Sequence, residues 1–141
     1  MRFFLGTHSP HHLELSDVDM FVSRNRLKNR KTLPDPICEW ALDSGGFTEL
    51  KLNGGWTISS TQYVTEVNRY SSMNGLQWAA PQDWMCEPIM TRKTGLTVKE
   101  HMRRTVDNLI DIRKQTPKAH VIPVLQGWDL DDYKQCFEMY E

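Results

Sequence analysis

Residues 38–47 read CEWALDSGGF, and this short segment predicts how the chain folds. The apolar run from Cys38 to Leu42 is typical of a buried β-strand. It ends abruptly at Asp43-Ser44, where the glycines Gly45 and Gly46 permit a tight turn or a close approach of the backbone to a ligand. We interpret the segment as a strand that places a carboxylate at its carboxyl end.

Other apolar runs of similar length predict further strands, separated by helical patterns. These runs extend from Arg2 to Gly6, from Met20 to Val22, from Leu76 to Ala80 and from His120 to Leu125. Strands that alternate with helices favour a parallel sheet with helices packed outside it, as in a barrel or a doubly wound fold. Polar residues follow three of the strands, namely Asp43, Asp83 and Gln126, and barrels carry their chemistry at such strand ends. The barrel is therefore the preferred prediction.

Three amphipathic helices are predicted from start signals and periodicity. Ser59 with Gln62, and Thr97 with Glu100, have the spacing of capping boxes. Apolar side chains then recur at helical spacing, at Tyr63, Val67 and Tyr70 in the first helix, at Val98, Met102, Val106 and Leu109 in the second, and at Tyr133, Phe137 and Tyr140 in a third. We expect the chain to stop inside the third helix.

The number of strands bounds how much of a barrel the chain contains. A closed (β/α) barrel needs about eight strands and roughly 250 residues, whereas four to five strands are predicted in these 141 residues. We expect one domain, residues 1–141, that forms the N-terminal half or so of a TIM-type α/β barrel. The remainder of a longer reading frame, a second chain or another copy of this chain would complete it.

Composition excludes several classes of protein. No apolar run approaches the roughly 20 residues that a membrane span requires, so we expect a cytoplasmic protein without membrane contact. The cysteines Cys38, Cys86 and Cys136 are scattered and odd in number, which argues against a disulfide framework. The net charge of −1 provides no global attraction for a polyanion, so contact with nucleic acid requires a local patch.

Three segments at strand ends contain candidate site residues. Asp43 is followed by the aromatic Phe47, and a carboxylate beside a flexible turn and a ring is suited to a purine. Asp83 and Glu87 lie in one loop, where Asp83 can accept hydrogen bonds from a guanine-like edge. Gln126 can both donate and accept, and the adjacent Gly127 allows a ligand to approach the backbone.

Each of these residues also has a purely structural interpretation. Asp43 can accept hydrogen bonds from its own turn, Asp83 and Glu87 can cap the turn that follows, and Gln126 can bond to neighbouring backbone. A barrel hydrolase that uses Asp43 with Asp83 or Glu87 as paired acid and base fits the pattern as well, and it requires two carboxyl groups roughly 5 to 10 Å apart.

Charged and metal-binding residues add two weaker signals. Arg24, Arg26, Lys28, Arg30 and Lys31 form the only dense basic run, which either neutralises phosphates or is a solvated charged surface. His8, His11 and His12 lack a nearby cysteine or carboxylate at a suitable spacing. We therefore expect no metal site in this chain.

The strand-end segments 42–47 (LDSGGF), 82–87 (QDWMCE) and 124–127 (VLQG) together resemble the tRNA-guanine transglycosylase superfamily. The segments 3–8 (FFLGTH) and 79–84 (AAPQDW) are more similar to its branch called deoxypurine in DNA protein A, which inserts 7-deazaguanines into DNA. The resemblance spans nearly the whole chain.

The resemblance implies a role for each strand-end segment. Asp43 would assist proton transfer and position the substrate together with Ser44, Gly45 and Gly46, and Phe47 would stack on the base. Asp83 would bind the guanine-like edge, Gln126 would recognise the exocyclic oxygen, and Gly127 would lie against the ring.

The implied reaction is a double displacement without an energy-rich cofactor, in which an aspartate attacks the sugar C1′ and a 7-deazaguanine replaces guanine. The superfamily's nucleophilic aspartate lies on a later strand, and the zinc site of the tRNA branch lies later still, so neither has a counterpart before Glu141. Any zinc is therefore expected in a missing C-terminal part. Thr48 stands where tRNA enzymes usually carry glutamine, which puts tRNA specificity in doubt. The expected partner is DNA, with tRNA and a tRNA-guanine transglycosylase activity as the alternative. A non-catalytic subunit that binds purine or nucleic acid remains an alternative.

Overall fold

Short strands alternate with helices along the chain, and the computed structural model describes all residues from Met1 to Glu141. The strands are β1 (Leu5–Thr7), β2 (Met20–Ser23), β3 (Trp40–Asp43) and β4 (Leu76–Ala79). The helices are α1 (Arg24–Leu27), α2 (Gly46–Asn53), α3 (Ser60–Tyr70), α4 (Pro88–Thr94), α5 (Val98–Lys114) and α6 (Leu130–Glu138), and a 3-10 helix spans Pro10–Glu14.

The four strands form one parallel sheet in the order β1-β2-β3-β4. Val22 of β2 lies beside Leu42 of β3, which lies beside Ala79 of β4. Because all strands run the same way, their carboxyl ends meet at one edge of the sheet. The predicted α/β class is confirmed. The sheet is open, with four strands, and the barrel stays a prediction.

The prediction of a fifth strand from His120 to Leu125 is wrong, and only an isolated bridge with two backbone hydrogen bonds to Ala79 forms there. Val121 forms one isolated parallel bridge with Ala79, and the N–H of Ile122 donates to the carbonyl of Ala79 at 3.1 Å. Pro123 follows and has no N–H to donate, and β4 itself ends at Ala79, so the pairing stops there. Val121 nevertheless remains buried in the core.

The two faces of the sheet differ in what covers them. One face packs against α3 and α5, and this core includes Trp40, Leu42, Tyr63, Val67 and Leu109. Side chains that alternate with these along the strands point to the other face. That face carries half-buried aromatic rings. The ring centroid of Trp78 lies 5.4 Å from that of Phe4 and 5.5 Å from that of Phe21.

The helix start signals are confirmed in part. Ser59 and Gln62 form the predicted capping box at α3. At α5 the Thr97 side chain accepts from the N–H of Glu100, but the Glu100 carboxylate bonds to Arg103 and Arg104 instead of returning to Thr97. The reciprocal half of that box is therefore absent.

The last helix differs from its prediction in two ways. It ends at Glu138, so the expectation that the chain stops inside this helix is wrong. Its buried residue is Cys136, whereas Tyr133 and Phe137 are exposed. The reason is a capping box of Asp129 and Asp132, which sets the start of the helix and hence the face that meets the core.

The 3-10 helix lies between β1 and β2, and all three cysteines are free thiols. No helix of the structure has the length and hydropathy needed to cross a membrane.

Candidate functional site

Asp83 is the centre of a buried hydrogen-bonded cluster at the carboxyl edge of the sheet. Ser44, just after β3, donates from Oγ to Asp83 Oδ1 at 2.5 Å. Gln126 donates from Nε2 to Asp83 Oδ2 at 2.8 Å. Asp83 itself is 7% exposed. Three residues that are distant in sequence are thus brought together, as expected from their positions at strand ends.

The loop that carries Asp83 is held by hydrogen bonds with two other segments, the loop between α2 and α3 and helix α5. The indole of Trp56 donates to the carbonyl of Asp83 at 3.0 Å. Asn108 of α5 donates to the carbonyl of Gln82 at 2.6 Å, and Thr105 accepts from the N–H of Trp84 at 2.8 Å. Sequence reasoning missed Trp56, Thr105 and Asn108, because nothing local in the sequence marks contacts to such a distant loop.

The surroundings of Asp83 raise its pKa towards neutrality. Burial raises the pKa of Asp83 to about 6, the hydrogen bond from Ser44 opposes this rise, and the nearby charge of Asp43 adds to it. An acid whose pKa lies near neutrality can exist in both protonation states at physiological pH, as proton-transfer chemistry requires.

Asp43 is half-buried at the end of β3 and lines a cavity of about 290 Å³. Gly6, Thr7, His8, Phe21 and Ser23 line the remainder of this cavity. Burial raises the pKa of Asp43, and hydrogen bonds from the Gly45 N–H and the Ser23 hydroxyl oppose the rise. Asp83 and Gln126 do not line this cavity, so the two carboxylates face different surroundings.

The glycines after β3 are required by a close approach. Gly45 has φ +78°, a left-handed conformation that favours glycine. A Cβ on Gly46 would lie 2.7 Å from Met85 Cε and 2.9 Å from the carbonyl oxygen of Asp83. The turn after β3 and the Asp83 loop therefore pack directly on each other.

Phe47 and Gly127 differ in accessibility. Phe47 is 47% exposed, and Lys51 Nζ lies 5.8 Å from the centroid of its ring. Gly127 is buried against α6, where a Cβ would come within 2.9 Å of Asp132 Cβ and of the Tyr133 nitrogen. The small size of Gly127 serves this packing, and only Phe47 offers a free surface to a ligand.

Arg24 does not belong to the exposed basic run with which it was grouped. It is 3% exposed, donates to Glu49 at 3.1 Å and forms a second ion pair with Glu66. The expectation that Arg24 contacts phosphate is therefore wrong, because its guanidinium is enclosed by two carboxylates. The other four residues of the run, Arg26, Lys28, Arg30 and Lys31, are exposed.

The remaining candidates lie apart from the Asp83 cluster. Glu87 is half-buried at the start of α4, and its Oε2 has no hydrogen-bond partner. His11 pairs with Glu14, and His12 shares a hydrogen bond with Thr7. No group of three or more His, Cys, Asp or Glu side chains is arranged to hold a metal ion.

One comparison with known proteins gives a match. A family model described as deoxypurine in DNA protein A matches residues 1–141. No curated protein and no solved structure matches the chain.

Proposed function

Since the chain belongs to the deoxypurine in DNA protein A family, we propose that it supplies the purine-binding edge of a base-exchange enzyme that replaces guanine in DNA by a 7-deazaguanine. One observation carries this proposal, namely the buried Asp83 carboxyl group held between Ser44 and Gln126. This fixed acceptor lies at the carboxyl edge of a parallel sheet, which is where α/β proteins bind ligands.

Asp83 has the hydrogen-bonding capacity to bind a guanine edge. Each carboxylate oxygen offers about two acceptor sites, and the cluster uses one on each oxygen. The remaining two sites accept from the ring N1–H and the exocyclic amino group of guanine. Ionised Asp83 is the binding form, because a protonated acid would lose one of these sites.

Gln126 and Phe47 complete the recognition of the base. The amide nitrogen of Gln126 has a second N–H beyond the one bonded to Asp83, and this N–H donates to the exocyclic oxygen of guanine. Phe47 is exposed at the start of α2 and stacks on the flat ring. Adenine lacks both the oxygen and the paired donors, so it is excluded.

Asp43 is the proposed proton-transfer group. Burial raises its pKa above the ordinary value for an aspartate, which makes it a better proton acceptor than a solvent-exposed aspartate. It gives a proton to the departing guanine and takes one from the incoming base. The exchange breaks one N-glycosidic bond and forms another, so no energy-rich cofactor is consumed. No residue of this chain is proposed as the nucleophile that attacks C1′.

DNA must also be held and opened. A base inside a duplex has to be flipped from its stack at a cost of about a few kcal/mol before its C1′ can react. The exposed residues Arg26, Lys28, Arg30 and Lys31 are proposed to contact phosphates. Arg26 lies 3.3 Å from His8, which lines the cavity of Asp43, so this run borders the proposed reaction site.

Binding of free guanine and exchange of labelled guanine together test the proposal. The Asp83→Asn variant should bind guanine about 30-fold or more weakly by calorimetry, because it loses an acceptor and a charge. Asp107→Asn is the matched control, since Asp107 is exposed on α5 and makes no hydrogen bond through its carboxylate. Unchanged guanine affinity in Asp83→Asn would refute the proposed site.

The polymer that takes up the label separates the alternatives. Incorporation of labelled guanine into DNA supports the DNA reaction, and incorporation into tRNA alone would assign the chain to tRNA exchange. Guanine binding without incorporation would favour a non-catalytic purine-binding subunit. Release of a base or sugar product without incorporation would favour a hydrolase that uses Asp43 with Asp83 or Glu87.

A further inference from the structure

A second cavity, of about 430 Å³, lies between α2 and α4, outside the site described above. Lys51 of α2 lines one side of it, and Ile89, Met90, Arg92 and Lys93 of α4 line the other. We call these five residues the α2–α4 basic pocket. Neither the basic run of Arg26 to Lys31 nor the Asp83 cluster includes any of them.

The three cations of this pocket have no acidic partners. Lys51, Arg92 and Lys93 are all exposed, and none of them takes part in an ion pair. The chain as a whole has a net charge of −1, so this is a local concentration of positive charge on a nearly neutral protein. Unpaired cations at close quarters are complementary to a chain of phosphates.

The pocket is apolar between its cations. Ile89 is 52% exposed, and Met90 beneath it is fully buried against Leu50 and Trp84. Apolar and aromatic surfaces beside basic side chains are the combination with which proteins bind single strands, whose bases are unstacked and whose phosphates are evenly spaced. A nucleotide flipped from a duplex leaves such exposed neighbours.

A short path of contacts links the pocket to the Asp83 cluster. Gly46 packs so closely on the Asp83 loop that a Cβ would lie 3.0 Å from Asp83 Oδ1. Phe47 follows Gly46 at the start of α2, and Lys51, one turn further along, lies over the Phe47 ring. Both helices begin just after the strand-end segments that carry the site. The pocket therefore lies between the two helices that follow the segments carrying the Asp83 cluster.

We propose that the α2–α4 basic pocket binds the DNA strand beside the exchanged nucleotide. Lys51, Arg92 and Lys93 contact its phosphates, and Ile89 lies against a sugar or an unstacked neighbouring base. This inference rests on the proposed function, since it assumes that DNA is the polymer that presents the base to Asp83.

The test measures DNA affinity and guanine affinity separately. The test compares the wild type with a pocket variant that combines Lys51→Gln, Arg92→Gln and Lys93→Gln. Each protein is titrated onto a short fluorescein-labelled DNA duplex with a mismatched central guanine, and binding is followed by fluorescence anisotropy at several salt concentrations. The matched control is Lys99→Gln, Lys114→Gln, Lys118→Gln, which removes the same charge from exposed residues of α5 and the turn after it. Free guanine is titrated by calorimetry in parallel.

We expect the pocket variant to bind DNA about 30-fold or more weakly at about 0.1 M salt, with a log–log salt slope smaller by about 2 to 3. The control should differ from the wild type by a much smaller factor, and guanine affinity should be unchanged in both variants. Equal losses of DNA affinity in the pocket variant and the control would overturn the inference, because net charge alone would then explain binding.

Other results distinguish the pocket from the site on which the inference rests. If the wild type binds guanine but no DNA, the pocket assignment fails and the purine site stands. If it binds anionic lipid vesicles through these three cations and no DNA, the pocket is a membrane contact and the inference is wrong. If DNA binding depends on the pocket but guanine does not bind, the inference keeps its support and the proposed purine site fails.

Discussion

The hydroxyl of Ser44 donates to Asp83 Oδ1 at 2.5 Å and accepts from the N–H of Gly46 at 3.0 Å. One side chain therefore links the end of β3, the start of α2 and the loop after β4. Removing either Ser44 or Asp83 leaves a buried polar group without its partner, which costs about 1–3 kcal/mol.

Asp83 should make the stability of the protein depend on pH. Its pKa is raised from 3.8 to about 6 by folding, chiefly through burial. The folded state then binds more protons than the unfolded state between these values, so stability falls as pH rises through this window. From about pH 4 to about pH 7, the wild type should lose about 2 to 3 kcal/mol of unfolding free energy relative to Asp83→Asn.

Urea denaturation at a series of pH values measures this difference. Asp107→Asn should remain parallel to the wild type over the whole range. A constant difference between the wild type and Asp83→Asn would mean that Asp83 titrates in the folded protein as it does in water.

Gln126 should lower the pKa of Asp83 through its hydrogen bond. In Gln126→Met the carboxylate form loses this donor, so the pKa of Asp83 should rise above about 6. A carbon-13 NMR titration of the side-chain carboxyl group measures the change. Gln135→Met on the exposed side of α6 should leave the titration of Asp83 unchanged. A pKa that stays the same or falls in Gln126→Met would contradict the hydrogen bond.

Gly46 should tolerate no side chain. In Gly46→Ala the new methyl group meets Met85 Cε and the carbonyl oxygen of Asp83 at under 3 Å, so one segment must shift. We expect a loss of about 1–3 kcal/mol in unfolding free energy and weaker guanine binding. Gly6→Ala has no atom within 4 Å of the added carbon and should change stability by less than about 0.5 kcal/mol. Equal stabilities would show that the turn does not pack on the Asp83 loop.

Arg24 should matter for stability and not for DNA. Arg24→Met leaves the buried Glu49 and the neighbouring Glu66 without their cation, which should cost about 3–5 kcal/mol. Arg26→Met removes an exposed cation and should change the unfolding free energy by less than about 0.5 kcal/mol. Chemical denaturation compares the two, and similar small effects would refute the buried ion pairs.

The exposed remainder of the basic run should contribute to DNA binding. The variant Lys28→Gln, Arg30→Gln, Lys31→Gln should weaken DNA binding and reduce the log–log salt slope by about 2 to 3, if all three side chains contact phosphates. Fluorescence anisotropy measures both quantities. An affinity equal to that of the wild type would identify the run as a solvated surface.

Local sequence signals predicted much of the fold. The apolar run before Asp43, the capping box of Ser59 and Gln62, and the periodic side chains Tyr63, Val67 and Tyr70 all correspond to observed elements. Such signals work because strands and helices are set by neighbours within a few residues. The order of strand ends also predicted that Asp83 and Gln126 would come together, although Gln126 follows only the isolated bridge at Val121 and not a full strand.

Tertiary contacts decided the rest. Arg24 carries the same charge as Arg26, and only the packing of α2 and α3 around it shows that Glu49 and Glu66 enclose it. The segment around Val121 has strand-forming residues, yet its pairing depends on how far β4 extends. Contacts between distant segments decide which cations stay free and which carboxyl group is buried deeply enough to have a pKa of about 6. Burial and ion pairing exist only once the chain has folded.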